Sequence, residues 1–131
     1  STSSAPANIT ASVLEGEWTF TSSFIRSDGD DTPKKGTYTF KAVGENVFQY
    51  TKEITFDQGK SLTWEGLGSV APNGDLLMSQ EGEMVVASGY LADENSIVLQ
   101  VVELQEVGQD VLPKAEPPTT FAAMETLTRK N

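Results

Sequence analysis

The sequence contains no cysteine and no histidine. Without cysteine, disulfides, thiolate nucleophiles and zinc–thiolate sites are excluded, although the compartment is not fixed because many secreted proteins also lack cysteine. Without histidine, Ser-His and Cys-His catalysis, an imidazole general base and every His-ligated metal site are excluded. The two absences remove the most common catalytic and metal-binding side chains, and we expect no metal and no cofactor.

Positive charge is scarce, and long apolar runs are missing. Nine Lys and Arg stand against 19 Asp and Glu, which gives a formal charge of −10. A nucleic acid would be repelled at long range, so we expect no nucleic-acid partner. No apolar run approaches the roughly 20 residues needed to cross a bilayer, and we expect no membrane span. The 131 residues fit one domain with a core of its own.

Residues 1–13 are mostly small and polar, without the basic and then apolar pattern of a signal peptide. Two histories fit: a cytosolic start after removal of the initiator Met, or the mature end left by a cut signal. The first is favoured, which favours a cytoplasmic over a secreted protein. Thr10 or Ser12 could cap one helical turn that ends at Gly16. We therefore predict a flexible segment over 1–13 and a single domain over 14–131.

From Gly16 onward, apolar residues recur with a period of two, as in half-buried β-strands. In the first strand Trp18, Phe20, Ser22 and Phe24 share one face. Polar or glycine-containing segments interrupt the alternation repeatedly, and Pro72-Asn73-Gly74 is the strongest of these turn signals. The predicted strands follow these patterns: Gly16 to Phe24, Thr37 to Lys41, Phe48 to Phe56, Leu62 to Val70, Leu76 to Met78, Met84 to Tyr90, Ile97 to Leu104 and Phe121 to Arg129.

Eight short strands joined in simple sequence fit either a closed meander barrel or a two-sheet sandwich. The barrel is favoured because no long connection of the kind a Greek key needs occurs before residue 105. We predict an all-β, eight-stranded antiparallel up-and-down barrel with a short N-terminal helical turn. The interior of such a barrel is either packed or hollow enough for one small ligand. The inward face of the strand over 97–104 stays open because both parities are apolar.

The pair Gly16-x-Trp18 on the first strand and Arg129 near the end of the last resembles the calycin group of lipocalins, fatty-acid-binding proteins and avidin-like barrels. This resemblance implies that Trp18 plugs the closed end of the barrel beneath Arg129, with function at the opposite end. The lipocalin C-terminal helix, the helical lid of fatty-acid carriers and the ligand residues of avidins have no counterpart. Size, strand number and the lack of His and Cys are also similar to small barrels of allene-oxide-cyclase type, which include cofactor-free cyclases acting on polyenes.

Large side chains on the predicted inward parities define a candidate ligand-binding lining. Several rings, two Met and the small residues Gly66, Gly68 and Ser88 on the same faces favour an apolar cavity. The alternative is that these side chains only pack the core. The lining comprises Phe20, Phe24, Tyr38, Phe40, Phe48, Tyr50, Trp64, Met78, Met84 and Tyr90.

Lys52 and Glu125 are charged residues on inward parities, and with Tyr50 they form the candidate catalytic set. The two charges could pair, or Glu125 could stay protonated in an apolar pocket and act as a general acid. A β-bulge in either strand would reverse the parity and leave both in water. Ser22 and the three tyrosines are candidate hydrogen-bond donors to a ligand carbonyl, with packing as the alternative.

Three further motifs are assigned structural roles. Asp28 to Asp31 lacks the EF-hand spacing, so we interpret it as a solvated hairpin tip. Gly66 and Gly68 lack a dinucleotide fingerprint and mark a bend or the close approach of a ligand. The segment 107–120 carries three prolines and is predicted as a semi-rigid loop, a candidate lid at one barrel mouth.

These patterns favour a barrel that binds a small apolar or aromatic molecule. The alternative is a cofactor-independent cyclase or isomerase, for example of a polyene or polyketide-type substrate, that uses the same cavity with an acidic residue or a Tyr. A weaker alternative is an inhibitor barrel that binds a protein through the acidic surface and the proline-rich loop. A homodimer is a further prediction. The sequence does not identify the ligand.

Overall fold

A computed structural model describes residues 8–27, 34–55, 59, 61–81, 85–105 and 119–130. One 3-10 turn, Ala11–Leu14, precedes eight strands. The described part contains no helix long and apolar enough to span a membrane. The strands are β1 (Gly16–Ser27), β2 (Lys35–Ala42), β3 (Val47–Thr55), β4 (Ser61–Val70), β5 (Asp75–Gln80), β6 (Val85–Asp93), β7 (Ser96–Gln105) and β8 (Thr119–Arg129).

Each strand pairs antiparallel with the next in sequence, and β1 also pairs with β8, so the sheet closes on itself. Closure leaves no unpaired sheet edge, because every strand has two neighbours. Alternate residues of every strand point into the barrel, where the apolar core lies. The predicted all-β, eight-stranded up-and-down barrel with one short N-terminal turn is confirmed.

The N-terminal turn lies across one end of the barrel, which we call the closed end. The Ile9 amide donates to the Pro72 carbonyl at 3.1 Å, and the Ala11 amide donates to the Glu45 carbonyl at 2.8 Å. Ala11 and Leu14 are fully buried. Residues from Ile9 onward therefore contact the barrel, and the domain boundary predicted at Leu14 stays a prediction.

Gly16 connects the turn to β1, and the turn ends at Leu14 rather than at Gly16 as predicted. The φ angle of Gly16 is 118°, a value that a residue with a Cβ adopts only with strain. The glycine of the Gly16-x-Trp18 pair therefore has a backbone role: it redirects the chain from the closed end into the first strand.

The predicted inward face of β6 is wrong. Val86 and Tyr90 are each half exposed and Ser88 is exposed, whereas Val85 and Ala87 are buried. Both parities of this strand carry apolar residues, so alternation alone does not distinguish the faces. Of the outward residues, Val86 belongs to a group of exposed apolar side chains on five consecutive strands: Val47, Leu67, Leu77, Val86 and Val102.

Two glycines of β4 lie beneath aromatic rings from β3. A Cβ at Gly66 would come within 2.5 Å of Tyr50 Cζ, and one at Gly68 would come within 2.5 Å of Phe48 Cζ. Each ring stands on the strand neighbour of its glycine in the β3–β4 register. Of the two predicted explanations for these glycines, close approach is observed, but the approaching groups are the protein's own rings rather than a ligand.

Candidate functional site

The part of the barrel interior farther from the closed end, which we call the polar half, contains four buried polar or charged side chains in addition to the tyrosines. They come from four different strands: β1, β3, β5 and β8. Burial of polar groups is costly unless they are hydrogen-bonded, so each of them requires an explanation. The four are Ser22, Lys52, Gln80 and Glu125.

Lys52 and Glu125 form an ion pair inside the barrel. Lys52 Nζ lies 2.6 Å from Glu125 Oε2, and the two side chains are only 9% and 3% exposed. The same ammonium lies 5.0 Å from the centre of the Phe20 ring and 5.2 Å from that of Tyr38, within the range of cation–π attraction. The lysine charge is therefore balanced by one carboxylate and two ring faces.

Tyr38 completes this cluster. Its hydroxyl donates to Glu125 Oε1 at 2.5 Å, so both carboxylate oxygens accept a hydrogen bond, one from Lys52 and one from Tyr38. Burial first, and then the negative charge of Glu125, hold the pKa of Tyr38 well above its usual range. Tyr38 therefore remains a hydrogen-bond donor at neutral pH.

This geometry matches the first of the predicted alternatives, in which the inward Lys and Glu pair. The register of β3 with both neighbours is continuous, and the two irregular pairings of the barrel's described residues lie in β1 and β6. A bulge that would turn Lys52 or Glu125 to solvent is absent from these paired residues. Both oxygens of Glu125 are therefore already engaged, one by Lys52 and one by Tyr38.

Tyr50 and Gln80 are buried polar residues of a different kind. Tyr50 is 4% exposed and Gln80 is 8% exposed, and among the described residues neither the hydroxyl nor the side-chain amide has a hydrogen-bond partner. Burial first, and then Glu125, raise the pKa of Tyr50 to about 12, so its hydroxyl is a donor at neutral pH. Two buried polar groups on inward parities therefore have no hydrogen-bond partner within the part of the chain that the structure describes.

Gln80 is a site residue that sequence reasoning missed. The predicted fifth strand included Leu76 and Met78 but stopped before Gln80, which continues the same inward parity and ends β5. A polar residue that follows a short strand is as typical of the first residue of a turn as of the last residue of the strand. The signal that could have found it was the i+2 spacing from Met78.

The predicted lining divides into several groups. Six members are buried in the core: Phe20, Tyr38, Phe40, Phe48, Tyr50 and Met78. Trp64 shares the inward parity of β4 and is half-buried. Tyr90 is 50% exposed on the outer face, so its predicted place in the interior is wrong for the same reason as that of the whole β6 face. The Phe24 side chain and Met84 lie outside the described residues, as do 28–33 and 107–118.

The rings nearest the closed end pack against one another. Phe40 contacts Trp18 edge-on at 6.2 Å and Phe48 edge-on at 5.3 Å, and it stacks on Tyr38 at 5.7 Å between ring centres. Such pairs add roughly 0.5–1.5 kcal/mol each beyond burial. For Phe40 and Phe48, the structure therefore shows the packing that was the alternative to ligand contact.

Arg129 covers Trp18 at the closed end, as the resemblance implied. The guanidinium carbon lies 4.3 Å from the centre of the indole. Its nitrogens donate to the carbonyls of Val13 and Glu15 at 2.6 and 3.0 Å, and to that of Glu94. Trp18 Nε1 donates to the Leu14 carbonyl at 2.8 Å. The Trp18–Arg129 pair therefore forms a structural plug at the closed end, and the side-chain nitrogens of both residues donate to backbone carbonyls.

Within the described ranges, no group of three or more acidic side chains is placed to hold a metal ion. Ser22 is also committed, because its hydroxyl donates to the Lys34 carbonyl at 3.1 Å and accepts from the Lys34 amide at 2.6 Å. Among the described residues, the polar groups left to contact a ligand are therefore those of Tyr50, Gln80, the remaining donors of Lys52 and the half-buried indole of Trp64.

No family model and no curated protein matches the chain. Among solved structures, it is similar to a redesigned β-barrel at 14% identity and TM-score 0.64, covering 98% of this chain and all of that one. A second redesigned barrel, bound to DFHBI, aligns at 16% identity and TM-score 0.58 over 91% of this chain and 97% of that one.

The siderocalin Ex-FABP, whose structure is described as having dual ligand specificities, aligns at 14% identity and TM-score 0.57 over 90% of this chain and 74% of its own. At this identity the likeness establishes the fold alone. The barrel order, the Trp18–Arg129 plug and these neighbours together show that the chain has a calycin-like fold.

Proposed function

We propose that the protein binds one small apolar or aromatic molecule inside the barrel. The observation that carries this proposal is that two buried polar side chains, Tyr50 and Gln80, have no hydrogen-bond partner among the described residues of an interior lined mostly by aromatic and aliphatic side chains. Binding sites for small molecules are mostly apolar with a few polar groups that fix orientation. A buried polar group without a hydrogen-bond partner lowers the stability of a packed core. A ligand with a polar atom can supply the missing hydrogen bond when it binds.

The distribution of side-chain size supports a site in the polar half rather than at the closed end. Inward positions nearest the closed end carry Trp18, Phe40 and Phe48, which are fully or nearly fully buried. Inward positions farther along include the small residues Ala87 and Ala123 beside the larger Phe20 and Tyr38. A barrel of eight strands accommodates one small ligand when part of its interior is lined by small residues.

The comparisons add a weaker line of support. A redesigned β-barrel similar to this chain is bound to DFHBI, and the siderocalin Ex-FABP functions through dual ligand specificities. The first of these shows that a barrel with a similar fold can hold a small molecule. The apolar or aromatic character of the ligand is inferred from the side chains of this chain.

A cofactor-independent cyclase or isomerase is the second candidate, because the Tyr38–Glu125–Lys52 cluster could polarise a substrate in the same interior. Glu125→Gln distinguishes the two. In an enzyme this variant lowers turnover with affinity nearly unchanged, whereas unchanged turnover would remove Glu125 from the mechanism. In a simple binding protein, no turnover of a bound compound is measured with either form.

Native mass spectrometry of the purified protein, followed by solvent extraction, tests the proposal directly. We expect a co-purifying apolar molecule, or binding from a broad panel of apolar and aromatic compounds. Ala87→Phe fills an inward position and should abolish that binding, whereas Ser88→Phe places the same ring on the outer face and should not. Absence of binding to every panel member, or equal binding by both variants, would contradict an interior site.

A further inference from the structure

Tyr50 and Gln80, which have no hydrogen-bond partner among the described residues, lie on either side of one residue of the sheet. Gly66 of β4 pairs with Tyr50 on one side and with Gln80 on the other. The two side chains therefore stand on the same level of the interior, two strand spacings or about 10 Å apart at Cα. Gly66 contributes no side chain between them.

The Tyr50 ring extends from β3 over Gly66 of β4. Its Cζ, the ring atom that carries the hydroxyl, lies where a Cβ on Gly66 would come within 2.5 Å of it. Gly66 also pairs with Gln80, which lies on the inward parity of β5. The hydroxyl end of Tyr50 and the Gln80 side chain therefore both lie beside Gly66 on the inner face of the sheet.

The buried charges near Tyr50 and Gln80 are already paired with each other. Lys52, next to Tyr50 on the inward parity of β3, is paired with Glu125 at 2.6 Å. An added carboxylate would have to enter a buried region without a cation of its own and beside the negative charge of Glu125. Burial of an unpaired charge is far more costly than burial of a neutral polar group. The chain's formal charge of −10 opposes an anion at long range as well.

We propose that Tyr50 and Gln80 form the polar end of the interior site, and that the ligand is an uncharged apolar molecule whose carbonyl oxygen accepts hydrogen bonds from both. This inference rests on the proposed binding function and specifies its ligand class. The phenol supplies an O–H donor and the amide supplies an N–H donor, so one oxygen with two lone pairs matches the pair. An ordered water that bridges the two groups is the competing explanation for their burial.

Three compounds of the same shape separate these possibilities: 2-acetylnaphthalene, 2-ethylnaphthalene and 2-naphthoate, a ketone, a hydrocarbon and a carboxylate. Equilibrium dialysis against the full chain at pH 8 measures their dissociation constants. We expect the ketone to bind about tenfold more tightly than the hydrocarbon, which corresponds to about 1.4 kcal/mol. We expect the carboxylate to bind at least about tenfold more weakly than the ketone.

Tyr50→Phe and Gln80→Leu test the two residues. Each variant should remove most of the preference for the ketone while leaving the affinity for 2-ethylnaphthalene within about twofold. Tyr90→Phe and Gln49→Leu make the same chemical changes on the outer face and should keep the preference. Thermal unfolding of each variant checks that it is folded at the dialysis temperature.

The outcomes separate this inference from the function on which it rests. Binding of all three compounds with equal affinity, tighter binding of the carboxylate, or a ketone preference that survives in both inner variants would overturn the inference and leave a binding barrel. Failure of all three compounds to bind the native chain would count against the inference. If, in addition, no compound of the broad apolar and aromatic panel bound, the result would count against the proposed binding function as well. A bridging water predicts no ketone preference in the native chain.

Discussion

The two ends of the barrel interior differ in the hydrogen-bond partners of their polar side chains. At the closed end, Trp18 Nε1 and the Arg129 guanidinium donate to backbone carbonyls, and the neighbouring inward residues are apolar. In the polar half, one ion pair is buried, while Tyr50 and Gln80 have no partner among the described residues. The same sheet thus surrounds one region whose polar groups bind the backbone and one in which two buried polar groups have no hydrogen-bond partner among the described residues.

This difference assigns the two regions different roles. A fully satisfied, ring-packed interior stabilises the native state and fixes how the N-terminal turn meets the first strand. Unsatisfied buried groups cost stability, and they are retained mainly where function requires them. If this assignment is right, substitutions at the closed end should reduce stability strongly. Loss of the unsatisfied groups should reduce it little and should act on binding instead.

Trp18→Ala should have the largest effect on stability. Trp18 is fully buried, contacts Phe40 edge-on, lies under Arg129 and donates to the Leu14 carbonyl. Removal of a buried Trp side chain costs about 3–5 kcal/mol, and loss of the hydrogen bond places this variant near the upper value. Urea unfolding followed by circular dichroism measures the change.

Trp64→Ala is the matched control because Trp64 is half-buried in the polar half. It should lower the free energy of unfolding by about 2 kcal/mol or less, since less apolar surface is lost from the core. Equal losses in the two variants would contradict the assignment of the closed end as the main stabilising plug.

Lys52→Met should have the next largest effect. It leaves the Glu125 carboxylate buried beside Tyr38 without its cation, and loss of one partner of a buried ion pair costs about 3–5 kcal/mol. The double variant Lys52→Met with Glu125→Leu should recover much of that loss, because two apolar side chains replace the pair. Chemical denaturation at pH 7 gives the three free energies of a double-mutant cycle.

The exposed pair of Lys130 and Glu17, at 3.3 Å, is the control for this cycle. Its side chains are about half exposed, so Lys130→Met should change stability by less than about 1 kcal/mol. A cost for Lys52→Met as small as that for Lys130→Met would show that water reaches the inner pair and that the polar half is not a dry site.

Much of the barrel follows from alternation of side chains along the chain. Strong two-residue periods over β1, β3 and β8 predicted the inward placement of Trp18, Lys52 and Glu125, because one face of each strand carries large apolar residues. The Gly16-x-Trp18 and Arg129 plug was implied by a family resemblance, and the structure shows it. Where one face of a regular strand is clearly the more apolar, the alternation of residues determines which side chains point into the barrel.

Other parts could not be predicted because they depend on tertiary contacts. In β6 both parities are apolar, so the exposed Val86 looked as much like a core residue as the buried Val85. The bond from Tyr38 to Glu125 joins residues 87 positions apart and depends on ring packing that no local pattern encodes. For Gln80 the sequence offered only the i+2 spacing from Met78, which is weak evidence at the end of a six-residue strand.

The raised pKa of Tyr50 predicts a loss of stability at alkaline pH. Burial, and then Glu125, raise this pKa from its ordinary 10.0 to about 12, so the unfolded chain loses the proton first. The contribution to stability is complete below pH 10 and is lost as pH rises towards about 12. Urea unfolding at intervals from pH 9 to pH 12 should show this decline.

Tyr50→Phe should make that decline shallower, but it should not remove it, because the pKa of Tyr38 is also raised by burial and by Glu125. Tyr90→Phe removes a half-exposed phenol from the outer face and is the control for the substitution itself. An unchanged decline in Tyr50→Phe would contradict the burial of the Tyr50 hydroxyl.

At pH 7 the same Tyr50→Phe variant, and Gln80→Leu, should have the smallest effects of the series. Each removes a buried polar group that has no partner among the described residues and keeps a side chain of similar size. Because no hydrogen bond is lost and a desolvation cost is relieved, the free energy of unfolding should change by less than about 1 kcal/mol or rise. A loss of about 2 kcal/mol or more in either variant, measured without ligand by urea unfolding, would mean that the residue is held by a structural partner such as an ordered water. The two ends of the barrel would then differ in composition but not in the role of their polar groups.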